Sequence, residues 1–194
     1  ILAAVNHGKW LDRTLMSLAI FGISAPSFWV ALVLQIIFAL TLKWFPLSGV
    51  KTASAYVLPV IALGTRYAAS VARVTRTSML DVLNQDYIRT AEAKGLKRSV
   101  IILKHALRNA LIPIITIAGS QLGDILTGSI IIESIFNMNG MGKLVLDAIN
   151  ARDLPLIQGS VMYIAVICVV IYLLVDILYA VVDPRIRLGE EASE

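Results

Sequence analysis

The chain has 194 residues, of which 58% are hydrophobic and only 15% charged, with a mean hydropathy of +0.80 and a formal net charge of +4. These proportions lie far outside globular averages and exclude an ordinary soluble domain, so the chain reads as an all-α, polytopic membrane protein. The single Cys168 excludes an intramolecular disulfide and a cysteine-based metal cluster.

The chain opens on Ile1-Leu2-Ala3-Ala4-Val5, with neither an initiator Met nor a charged leader before a cleavage site. These residues read as the tail of an earlier membrane helix, and 1–194 is expected to form one transmembrane domain, truncated at its N-terminus. Residues 14–42 carry no charge and are long enough to cross about 30 Å of hydrocarbon as a helix. Pro26 inside this stretch frees a backbone carbonyl and predicts a kink. The segment Lys43-Trp44-Phe45-Pro46-Leu47-Ser48-Gly49 places aromatics at an interface and turn residues after them. A second span is expected over 53–72, interrupted only by Arg66, and its helix runs on past Arg73 and Arg76 into Met79-Leu80-Asp81-Val82-Leu83.

Apolar density falls between 84 and 108. Tyr87, Ile88, Ala91 and Leu96 recur at helical spacing and Gly95 interrupts them, which predicts a short surface helix, a turn, and a second amphipathic helix bearing Val100, Ile101, Leu103 and Leu107. A third span is expected over 111–132, interrupted only by Asp124, and a fourth over 154–175. Between them, Glu133 to Pro155 is too short to cross again and predicts an interfacial or re-entrant cap with a Gly-rich turn at Gly140-Met141-Gly142. The acidic ending Glu190-Glu191-Ala192-Ser193-Glu194 has the composition of a disordered tail.

Lys and Arg set the orientation. Lys9, Arg13, Arg73, Arg76, Arg89, Lys94, Lys97, Arg98, Lys104, Arg108, Arg185 and Arg187 fall on one side of the four spans, and only Lys43, Lys51, Lys143 and Arg152 on the other. Twelve against four puts the 84–108 loop and both ends in the cytoplasm. The basic balance is therefore a topology signal; its residues are not interleaved with stacking aromatics as a nucleic-acid surface would need.

Enzymatic motifs are not found. A phosphate loop would need Ser or Thr after Gly142-Lys143 and Gly at 137, where the chain has Leu144 and Asn137. His7 and His105 lie in different segments and do not form a paired zinc motif. Catalytic and metal-ligating residues are accordingly expected to be none. Arg66 and Asp124 remain, each costing about 2.5–3.5 kcal/mol near a helix centre and therefore expected to face the bundle interior or water. Two readings stay open for them, the lining of a translocation path and an ion pair that fastens two helices. For Gly119, Ser120, Gly123, Thr127, Gly128 and Ser129, close helix packing is the expected role. Glu133 and Asp153 sit near the outer interface, either simply solvated or holding the outer segment.

The loop Tyr87-Ile88-Arg89-Thr90-Ala91-Glu92-Ala93-Lys94-Gly95-Leu96, followed by His105-Ala106-Leu107-Arg108-Asn109-Ala110-Leu111-Ile112-Pro113, resembles the cytoplasmic loop of membrane subunits in bacterial ABC importers for dipeptides, oligopeptides and nickel. Similar blocks recur at Ser24 to Trp29, Glu133 to Gly142, Arg152-Asp153-Leu154-Pro155 and Asp183-Pro184-Arg185-Ile186-Arg187, so the resemblance covers essentially the whole chain. Where the general importer motif has Glu-Ala-Ala, this chain has Arg89-Thr90-Ala91, a departure that resembles the peptide and nickel subfamily; Ala91 and Gly95 keep their places.

The resemblance implies a type I importer permease of six helices, lacking here its first helix, an outer region and most of its second, in a bacterial inner membrane. It implies that the helix bearing Tyr87, Arg89, Thr90, Ala91, Glu92, Ala93, Lys94, Gly95 and Leu96 docks into cytoplasmic ATPase subunits, which carry the ATP and magnesium while this chain binds no cofactor. It also implies a homologous second permease and an external substrate-binding protein. Peptide is the favoured cargo and nickel the competitor. Other classes remain as alternatives, an ion-coupled transporter using Arg66 and Asp124 as its relay and a scaffold that transports nothing.

Overall fold

In a computed structural model the described residues are 1–128 and 130–182, and the regular structure among them is helical throughout. A single turn, α1 (Leu2–Val5), leads through Gly8 into α2 (Trp10–Ser24) and α3 (Ser27–Leu34), the latter continued by a wider π-helical stretch, Gln35–Thr41. A 3₁₀ turn (Ala53–Tyr56) starts α4 (Val57–Leu83), which is followed by the short α5 (Asp86–Ala93). Then α6 (Arg98–Val100), a π-helical stretch (Ile101–Ala106) and α7 (Leu107–Gly128) succeed one another. The chain closes with α8 (Ile130–Ile135), α9 (Met141–Ala151) and α10 (Leu154–Val182).

Three helical runs are long and apolar enough to cross a membrane, Ala53–Leu83, Arg98–Ile125 and Leu154–Tyr179. The stretch expected as a first, kinked span is instead two helices, α2 and α3, whose axes differ by 101°, and it counts as a fourth crossing only if both arms are taken together. The physical origin is local in part. Pro26 (φ −62, ψ 135) cannot continue α2, and the residue before it, Ala25, is driven to an extended conformation (ψ 124). A lone proline kink is much gentler; here α3 is held across the bundle by packing on α4 and α8.

A second correction concerns the 84–108 loop. Its expected second amphipathic helix is no separate element. Val100, Ile101 and Leu107 keep right-handed helical dihedrals, so α6, the π stretch and α7 form one continuous rod from Arg98, long and apolar enough to cross a membrane. By contrast α4 is continuous as read: its 27 residues span about 40 Å, more than the thickness of a hydrocarbon core.

The central pair is α4 with α7; α2 packs on α4 and α10 on α7. Small residues make the α7–α10 approach possible. A Cβ added at Gly119 would stand 2.7 Å from a Val175 methyl, and one at Gly123 would meet the Tyr172 hydroxyl at 2.5 Å. This is the packing role expected of those two glycines. Ser129 and residues 183–194, including the acidic tail and the Asp183 to Arg187 block, lie outside the described residues, as do the side chain of Thr127 and the surroundings of Gly128.

Two cores result, at opposite ends of α4. At the basic end Ala4, Met79, Ile88, Ala91, Ile101, Ala106 and Ala110 cluster. At the other, Ala31, Ala39, Leu58, Ala62, Ile132 and Phe136 cluster. Between and around them large apolar side chains face outward, Val161, Met162, Val169 and Leu173 of α10 among them, as expected of surfaces that meet lipid or another membrane helix.

The end opposite the basic one is knitted by polar contacts. Gln35 Nε2 donates to the carbonyls of Leu47 (2.9 Å) and Ile135 (3.2 Å), and Gly49 N–H donates to the Phe136 carbonyl (2.9 Å). Of the two readings for Glu133, the structure favours holding, whereas Asp153 is exposed and bonds only within its own stretch. Glu133 Oε2 accepts from the Lys143 N–H at the start of α9, and Asp153 Oδ1 accepts from the Leu156 N–H at the start of α10.

Candidate functional site

The loop singled out by its sequence folds into α5. Gln85 is extended (ψ 149) and breaks the line of α4, and Asp86 then places its negative charge in the first turn of α5, where the helix dipole favours it. Eight residues are too few for a helix to stand alone in water, so α5 depends on what it packs against. Ile88 (2% exposed) and Ala91 (7% exposed) point inward and join Met79, Ile101, Ala106 and Ala110 in the basic-end core. Tyr87 is tied down from α7, its hydroxyl accepting from Asn109 Nδ2 at 2.9 Å.

The helix ends at Gly95, whose φ of +73 is the left-handed conformation that glycine adopts without penalty. Its N–H donates to the Glu92 carbonyl (2.9 Å) and the Leu96 N–H to that of Ala91 (3.3 Å), which satisfies two carbonyls at the helix end. A Cβ at Gly95 would touch nothing within 4 Å, so backbone conformation alone demands glycine there.

Outward face Arg89, Thr90, Glu92, Ala93 and Lys94, with Tyr87 and Leu96 about 40% exposed. The Arg89–Asp86 pair (3.7 Å) is fully in solvent and contributes little. One expectation is corrected. The resemblance counts Ala91 among the docking residues, but helical phase puts it three residues from Ile88, on the buried stripe, where it fits α5 to its own chain.

Arg66 on α4 and Asp124 on α7 lie on the central helix pair, and both are exposed on this chain. Asn109, Asp12 and Arg76 had no site role in the sequence reading. The one available signal was Asp12 itself, an acid set between the basic Lys9 and Arg13 at the entrance to an apolar stretch.

Helices long and apolar enough to cross a membrane, with a short amphipathic helix held on a core at their basic end, define an integral membrane protein. Residues 1–188 match the family described as binding-protein-dependent transport system inner membrane component, and the chain belongs to it. This bears out the resemblance to importer membrane subunits of the peptide and nickel kind and places the chain in the inner membrane. Over 187 residues it is 46% identical to the glutathione transport system permease protein GsiC of Pectobacterium atrosepticum, 45% to that of Salmonella typhi and 44% to that of Escherichia coli K12. Each match covers 96% of this chain and 61% of the relative, so the chain spans about three-fifths of the length of these curated relatives.

Proposed function

We propose that the chain is the permease subunit of an ATP-driven importer and lines the path for a small peptide, with glutathione-like peptides the favoured cargo. Support for the cargo comes from the relatives' description as glutathione transport permeases. A nickel chelate is the alternative within the same family.

The observation that carries the mechanism is the anchorage of α5. Its inward stripe is fixed in the basic-end core and its outward face is left polar and unobstructed. A cytoplasmic ATPase pair that grips Tyr87, Arg89, Thr90, Glu92, Ala93, Lys94 and Leu96 moves α5 when ATP closes it. Ile88 and Ala91 then pass that movement to Met79 of α4 and to Ile101 and Ala106 at the entry of the α7 rod, the pair on which the bundle is built. A homologous second permease completes the path, and an external binding protein delivers the cargo. ATP and magnesium belong to the ATPase subunits.

The test is the full-length subunit assembled with the products of its neighbouring genes in proteoliposomes, with the binding protein outside. Hydrolysis and uptake are expected to rise with glutathione or short peptides. Stimulation by nickel with a chelator alone would move the cargo to nickel, and hydrolysis indifferent to every external ligand would overturn the importer reading.

A further inference from the structure

Away from α5, one polar cluster is built with more care than solvation requires. Asp12, in the first turn of α2, is 3% exposed. Arg76, 64 positions later on α4, donates to both its oxygens, Nε to Oδ1 at 2.6 Å and Nη2 to Oδ2 at 2.7 Å. The Gly8 N–H, in the turn between α1 and α2, donates to Oδ2 as well at 3.0 Å; the φ of Gly8 is +74, in the region glycine tolerates best. The Arg76 Nη2 also faces His7 Nδ1 at 3.0 Å. A two-pronged guanidinium–carboxylate contact fixes direction as well as distance, which a hydrophobic contact does not.

Its position gives it a use. Arg76 lies one turn before Met79, and Met79 shares a core with Ile88 and Ala91 of α5 and with Ala4 of α1. Movement delivered to α5 therefore reaches both α1 and the end of α4 through apolar contacts that can slide. The Asp12–Arg76 contact closes the same triangle with a bond that cannot.

We propose that Asp12 and Arg76 are positioning residues for energy coupling, a strut that makes the α1–α2 turn and the basic end of α4 answer α5 as one body. This rests on the importer reading above. Without the strut α5 still docks and the ATPase still turns over, but its stroke is absorbed at the α2–α4 contact and does not reach the path.

The test uses the assembled transporter in proteoliposomes and reads cargo taken up per ATP hydrolysed. Asp12→Asn and Arg76→Met should each leave basal hydrolysis near the parent's and lower uptake per ATP at least tenfold, and the double variant should be no worse than either single one. A rescue separates coupling from mere folding. Cysteines at positions 12 and 76 in a Cys168→Ala background, joined by a short reducible bifunctional thiol linker, should couple while linked and uncouple when the linker is cleaved.

Parent-like uptake per ATP in the single variants, additive losses in the double one, or a linked pair indifferent to cleavage overturns the strut. A loss confined to the amount of assembled complex, with uptake per complex unchanged, overturns it too. If the parent itself takes up no cargo, the importer reading falls and the strut with it; if the parent transports and the variants do too, the strut alone falls.

Discussion

Truncating Ile88 to alanine removes three carbons from a side chain that is 2% exposed and sits in the basic-end core. At about 0.8 kcal/mol per buried methylene the transfer loss is about 2.4 kcal/mol. Incomplete collapse around the gap adds to this, and buried isoleucine-to-alanine changes cost about 2–5 kcal/mol in all. The loss falls on one small element. With eight residues α5 has no stability of its own, and its remaining anchors are Ala91 and the Asn109–Tyr87 hydrogen bond. A docking loss of about 3 kcal/mol raises the undocked population roughly a hundredfold, since each 1.4 kcal/mol is a factor of ten. Amide exchange over 86–93 should accelerate by that order while the apolar middle of α10 keeps its protection, and substrate-stimulated hydrolysis should fall in parallel. Unchanged exchange over 86–93 in a folded Ile88→Ala variant would refute the claim that this side chain holds α5 to the bundle.

Gly95→Ala meets no steric obstacle, so its cost is the left-handed conformation alone, about 1–2 kcal/mol; Gly95→Asn should recover part of it, measured as thermal stability and as ATPase recruitment. Gln35→Met keeps the bulk but withdraws the donor from the Leu47 and Ile135 carbonyls, at about 1–3 kcal/mol for each carbonyl left dry, and exchange and proteolysis over 43–49 should rise. Gly119→Ala should lower the melting temperature through overpacking of about 1–3 kcal/mol against Val175, and Val175→Ala should relieve it in a double-mutant cycle; additive effects would contradict the close α7–α10 approach. Cysteines at Lys97 and Ser48 in a Cys168→Ala background should label from opposite faces of intact cells, Ser48 from outside, as the twelve-to-four distribution of Lys and Arg requires.

What the amino-acid sequence determined by itself was whatever depends on local composition and one-dimensional spacing. Long apolar runs specified three helices of membrane-crossing length, Lys and Arg gave an expected orientation, and the Tyr87 to Leu96 block with its flanking motifs identified the family. Gly95 was readable as a turn because glycine is the residue a positive φ selects. Tertiary structure decided what depends on partners far along the chain. Pro26 marks a break, but its 101° angle comes from where α4 and α8 hold α3. Ala91 shares a helical stripe with Ile88 in the sequence, but what that stripe packs against is decided only when α5 is laid on Met79 and Ile101. Asp12 and Arg76 are two ordinary charges at a membrane boundary until two helices, 64 residues apart in the chain, turn them toward each other. Hydropathy records the transfer of one side chain out of water, whereas a directed contact is a property of a pair, and only packing chooses the pair.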